Sequence, residues 1–115
     1  MTIKRIGVGP RMSQAVIHGD RVFLAGQVAE TPTPDVTDQT RQILAAIDGL
    51  LAEAGTDKTK LLTANIWLAD IADFAAMNAA WDKWVSPGNT PARATVESKL
   101  AGPEYRVEIQ VTAAV

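Results

Sequence analysis

Two charged residues near the end of the chain have the type and setting to do chemistry: Arg93 in TPARATVESKL and Glu108 in YRVEIQVTAAV. A guanidinium grips a carboxylate through two parallel hydrogen bonds, each charge-assisted contact worth roughly 1.5 to 3 kcal/mol in a partly dry site. A carboxylate on an otherwise apolar strand can orient water and move protons when its face borders a pocket. The residues alone leave blander readings open: Arg93 as an edge arginine in a salt bridge, and Glu108 as a solvated outward residue. The two could also pair across a hairpin whose loop is residues 100 to 103. Asn78 is the third unusual residue. It lies among Phe74, Met77 and Trp81, so it falls on or beside a buried helical stripe and is expected to hold a specific hydrogen-bond partner.

The absences narrow the chemistry. One histidine and no cysteine leave no Ser-His-Asp arrangement, no thiolate nucleophile and no His-rich or cysteine-based metal site. No GxGxxG or P-loop motif opens a helix, so nucleotide-dependent readings have no support. His18 sits beside a Gly19-Asp20 turn and reads as an exposed turn residue. A formal charge of −2 argues against a nucleic-acid partner, which calls for a basic stripe. No run approaches the ~18 apolar residues of a membrane span. MTIKRIGVGPRM lacks the apolar core of a signal peptide, so a cytoplasmic location and a small ligand are the expectation.

The elements that must position these residues follow from patterning across 115 residues, the length of one domain. Ile3 to Gly7, Ala15 to His18 and Arg21 to Ala25 read as strands, the last two joined at Gly19-Asp20. A helix starts near Asp35 to Thr37, runs on Val36, Ile43, Ile47, Leu50, Leu51 and Ala54, and stops at Gly55. Lys60 to Leu68 reads as a central strand with Leu62, Ala64, Ile66 and Leu68 on one face and Leu61 and Trp67 on the other. A second helix spans about Ile71 to Val85, with Phe74, Met77, Trp81 and Trp84 or Val85 on its stripe and the tryptophans in the core. In the last strands Arg93, Thr95 and Glu97 share a face, and Glu108 opposes the apolar face Val107, Ile109, Val111 and Ala113. Two helices cover one face of such a sheet, yet two strands are apolar on both, which predicts that another subunit covers the second face.

Three blocks, MSQAVIHGDRVFLAGQ, DFAAMNAAWDKWV and PARATVESKL followed by YRVEIQVTAAV, resemble the RidA (YjgF-like) reactive-intermediate deaminase family, in particular its short YoaB-like members. The most specific part is P-x-R-x-T-V followed by V-E-I, and the resemblance spans essentially the whole chain. It implies an α+β, chorismate-mutase-like fold: a mixed sheet of about six strands with two helices on one face, assembled as a homotrimer with ligand clefts between subunits. In that topology the strand from Lys60 to Leu68 lies between the last two strands, which removes the hairpin. Arg93 and Glu108 then become two walls of an intersubunit cleft.

The activity the resemblance implies is hydrolysis of 2-imino acids or their enamine tautomers to 2-keto acids and ammonia, without a cofactor. Arg93 matches the arginine that binds the substrate carboxylate, and Glu108 the glutamate that positions water. Gly26 falls in the turn that lines the cleft, the backbone carbonyl of Thr95 is expected at the imine nitrogen, and Asn78 matches the asparagine of the helix motif. Met12 stands where tyrosine is common and Ala25 where serine precedes the glycine, so two hydroxyls are lost. That loss implies a more apolar substrate or weaker activity. It also motivates an alternative, a non-catalytic trimer that binds a small carboxylate metabolite for sensing.

Overall fold

The computed structural model describes every residue, Met1–Val115. Strands β1 (Ile3–Ile6), β2 (Ala15–His18) and β3 (Arg21–Leu24) come first, then helix α1 (Val36–Glu53), strand β4 (Leu61–Leu68), helix α2 (Phe74–Trp84) and strands β5 (Ala92–Glu97) and β6 (Val107–Ala114). The β2–β3 connection closes at the His18–Arg21 pair with Gly19 at φ +63°, a backbone conformation that glycine adopts without strain. Helix α1 starts where the Asp35 side chain accepts the Thr37 N–H. It ends at Gly55, with Gly55 N–H donating to the Ala52 carbonyl and Thr56 N–H to that of Leu51. This is the paired bonding of a Schellman stop, made possible by φ +85° at the glycine.

The six strands form one sheet in the order β1-β2-β3-β6-β4-β5. The β4–β5 pair is parallel and the other neighbours are antiparallel. The fold is therefore α+β, as the resemblance implies, and β4 lies between the last two strands as expected, so they form no hairpin. Helix α2 returns the chain to the starting end of β4, so β5 runs parallel to it and occupies the edge. The last strand, β6, pairs with both β4 and the free side of β3.

The core lies between the sheet and the two helices. Ile43, Ile47 and Leu51 of α1 and Met77 and Trp81 of α2 pack in one cluster with Val22, Leu24, Ala64, Ile66, Leu68 and the apolar face of β6. Three expectations about its membership change, one of them Trp67, which pairs with Glu108 on the helix-free face and stays half-buried outside the core. A β-bulge between Leu61 and Thr63 inserts a residue, which turns Leu61 into the core and leaves Leu62 41% exposed. Phe74, expected on the buried stripe, is the first residue of α2 and is exposed. Of the strands that read as apolar on both faces, only one face is covered within the chain: Val22 and Leu24 are buried, whereas Phe23 between them is 44% exposed.

Candidate functional site

Arg93 lies on the edge strand. In the parallel register it pairs with Ala64, and Thr95 pairs with Ile66. Paired residues of neighbouring strands project to the same side, and Ala64 and Ile66 are buried under the helices. Arg93 and Thr95 therefore belong to the helix side of the sheet. The Arg93 guanidinium lies over the ring of Trp81 on α2, with Cζ 5.3 Å from the ring centroid. The ion pairs of the chain are Arg106–Asp73 and Arg21–Asp20, so the salt-bridge reading of Arg93 does not hold.

Two polar atoms near this arginine in the fold are buried without a partner: Oδ1 of Asn78 and Oγ1 of Thr95. Asn78 is on α2 one turn before Trp81, and Thr95 is two residues beyond Arg93 on the same side of β5. The expectation that Asn78 has a hydrogen-bond partner is thus corrected for its oxygen. No donor from the same chain reaches that atom. A buried carbonyl oxygen left unpaired is costly, typically about 1–3 kcal/mol, which marks the position as one that a group from outside the chain can satisfy.

Glu108 belongs to the other face. It pairs with Trp67, three residues along β4 from the partner of Arg93, and the ladder is regular between the two pairs. Three steps reverse the side, so Glu108 projects onto the sheet face that carries no helix. Its carboxylate rests directly on Gly26: a Cβ built there would meet Oε2 inside contact distance and Cδ at 3.0 Å. The segment carrying Gly26 is pinned to β6, because Gln27 N–H donates to the Ile109 carbonyl at 2.8 Å and Ile109 N–H returns to the Gln27 carbonyl at 3.0 Å.

Gln14 and Gln27 knit this half-site together, a role that sequence reading missed. Gln27 Nε2 donates to Gln14 Oε1 at 3.1 Å and to the Ala25 carbonyl at 3.0 Å, and Ala25 N–H donates to the Gln14 carbonyl at 2.9 Å. The visible signal was the glutamine that closes both MSQ and AGQ. Met12 is in the loop leading into Gln14, its carbonyl accepting the Gly9 N–H and its residue 49% exposed.

The expected residues therefore fall into two groups, Arg93 and Thr95 with Asn78 of α2 on the helix side of the sheet and Glu108 with Gly26 and Ala25 at the other face, with Met12 in the exposed loop before Gln14. Two strand spacings of ~4.8 Å and three residue steps of ~3.3 Å put the Arg93 and Glu108 backbones roughly 14 Å apart. None of the three concavities of the single chain includes either residue.

Residues 2–115 match the family described as Endoribonuclease L-PSP. The RutC family protein YoaB of Escherichia coli K12 is 47% identical over 115 residues, covering 100% of both chains. The chain belongs to the RidA/YjgF family. A RutC family protein of Haemophilus ducreyi is 45% identical over 113 residues, covering 98% of this chain and 97% of its own. The crystal structure of a YjgF family member from Neisseria meningitidis superposes with a TM-score of 0.97 at 49% identity, over 99% of this chain and 95% of that one. For this RidA/YjgF protein the six-stranded sheet with two helices is thus the family fold.

Proposed function

We propose that the protein hydrolyses reactive 2-imino acids, or their enamine tautomers, to 2-keto acids and ammonia in the cytoplasm, at sites between the subunits of a homotrimer. The observation that carries this reading is the Arg93 guanidinium: half-buried, braced on an aromatic face and without an acidic partner in its own chain. Such a group is a ready receptor for a small carboxylate.

Arg93 fixes the substrate carboxylate and thereby the imine carbon, which removes much of the entropic cost of the encounter. Glu108 orients a water molecule for attack on that carbon. The water oxygen bonds to carbon, its proton reaches nitrogen, and the carbinolamine then collapses with cleavage of the C–N bond and release of ammonia. Proton handling of this kind is typically worth ~10² to 10⁴ in rate. The Thr95 backbone carbonyl meets the imine nitrogen, and Gly26 lines the cleft while letting Glu108 approach. The absence of a hydroxyl at Met12 and at Ala25 favours an apolar substituent on the substrate. The Asn78 side-chain oxygen is an acceptor, so its partner in the cleft is a donor such as a bound water, not the carboxylate, which only accepts. Water is the only co-reactant, so no cofactor is required.

The opposite placement of Arg93 and Glu108 supports the assembly. A three- or four-carbon acid cannot span both within one chain, whereas a neighbouring subunit can bring its Glu108 half-site to this Arg93. The open sheet face, with Phe23 and Val96 exposed and Trp67 half-buried, supplies apolar surface for that contact. The test is a coupled assay in which an amino-acid oxidase generates 2-iminopropanoate or 2-iminobutanoate and its disappearance is followed. Wild type should accelerate loss of the imine, and Arg93→Ala or Arg93→Lys should reduce kcat/KM by at least about tenfold, because a point charge does not reproduce the planar fork. Equal turnover by wild type and Arg93→Ala would sink the assignment. Saturable, Arg93-dependent binding of 2-keto acids without rate enhancement would replace it with a metabolite-sensing module.

A further inference from the structure

Trp81 is only 5% exposed and belongs to the core cluster, which would be role enough for most tryptophans. Its ring face, however, carries the one arginine proposed to hold substrate. We propose that Trp81 is a positioning residue that presets the Arg93 guanidinium for the ligand carboxylate. This rests on the reading of Arg93 as the carboxylate receptor.

The argument turns on what kind of brace an arginine receptor can tolerate. An arginine on an edge strand with no partner swings freely into solvent and must be ordered when the ligand arrives. A neighbouring carboxylate would hold it still, but would also occupy the N–H fork and cancel the charge that the ligand needs. An aromatic face does neither. A ring face attracts the guanidinium through its charge and, unlike a carboxylate, neither neutralises it nor takes both arms of the N–H fork, while contact with the ring limits where the group can move.

The ring is itself held in place. The Trp84 ring packs against Trp81 with centroids 5.4 Å apart and planes at 54°. The Trp84 indole N–H donates to Asp48 Oδ2 on α1 at 3.0 Å, and Lys58 Nζ covers the Trp84 ring at 5.3 Å. A continuous series of contacts thus runs from Asp48 through Trp84 and Trp81 to Arg93, anchoring an edge-strand side chain to the middle of α1. A leucine at position 81 would fill core space but present no ring face.

The experiment uses the intact protein and two readouts. The first is the NMR resonance of the Arg93 side-chain Nε–H, which a ring face shifts upfield without any ligand. It should be upfield of the other arginines in wild type and in Trp81→Phe, and should move to the unstructured position in Trp81→Leu. The second is pyruvate affinity, expected to weaken about threefold to tenfold in Trp81→Leu and to be largely recovered in Trp81→Phe. Pyruvate binding by folded Trp81→Leu as tight as wild type overturns the inference while leaving the carboxylate reading of Arg93 intact, as does an unshifted wild-type resonance with normal binding. No pyruvate binding by wild type, with the resonance shifted, removes the carboxylate reading and leaves the stack as a purely structural feature.

Discussion

The carboxylate of Glu108 lies against the bare Cα of Gly26, so that a Cβ added there would overlap Oε2 and stand 3.0 Å from Cδ. The glycine is held in this place by the two backbone hydrogen bonds between Gln27 and Ile109. Its φ is not positive, so the missing side chain is explained by the close approach of Glu108 rather than by backbone conformation.

Gly26→Ala should therefore move Glu108 rather than unfold the protein. The expected outcome is a loss of imine-hydrolysing activity by about tenfold or more, within the range that general base catalysis supplies, and a melting temperature lowered by no more than a few degrees. Steady-state kinetics alongside a thermal melt separates the two effects. Full activity in the alanine variant would mean that the present position of Glu108 is not the working one.

Phe23→Asp addresses the assembly. Phe23 sits on the open face between the buried Val22 and Leu24, and its cross-strand partners are Val16 and Thr112. An aspartate there is solvated in a single chain but buried unpaired in a trimer, a cost of several kcal/mol per site. Sedimentation should show wild type as a trimer and the variant as monomer. A variant that stays trimeric would move the interface away from this face.

Gln39 governs the stability of the loops at one end of the sheet. It is fully buried (0% exposed), donates through Nε2 to the carbonyls of Thr33 at 2.6 Å and Glu104 at 2.9 Å, and accepts the Arg106 N–H through Oε1 at 2.9 Å. Gln39→Leu leaves three backbone groups unpaired and should cost about 2–4 kcal/mol, read as a lower urea midpoint. Gln39→Glu should not restore it, because a carboxylate cannot donate to two carbonyls.

Asp57 supplies a pH signature. Its carboxylate accepts the hydroxyl and then the backbone N–H of Thr59, and with Lys60 nearby these hold its pKa below the ordinary 3.8. A folded-state pKa below the unfolded one means that the group stabilises the fold above the unfolded value, and that this contribution fades as pH falls through the folded value. Asp57→Ala should therefore melt lower than wild type at neutral pH, with the gap closing as the pH drops below 3.8. A gap that stays constant down to acid would assign the effect to helix propensity alone.

Much of the architecture was legible because local signals agreed with the tertiary outcome. The caps at Asp35 and Gly55, the hairpin glycine at 19 and the two-residue period of β6 each act within a few residues. Leu61 and Leu62 were read onto the wrong faces because a bulge is a property of two paired strands, and no residue type in KLLTANIWL announces it. Asn78 was expected to find a partner, yet its oxygen has none within the chain. Trp81 could be read only as core, since its contact with Arg93 joins two residues of different elements that only the fold brings together.

The sequence by itself determined which residues carry charge in apolar surroundings, the order of strands and helices, and family membership, because composition, period and motif are written along one dimension. Only the tertiary structure decided that Arg93 and Glu108 lie on opposite faces of the sheet. Their faces depend on β4 lying between β5 and β6 and on the registers of both pairings. Those registers are set by how the apolar faces of three strands pack under two helices, a balance no single segment contains.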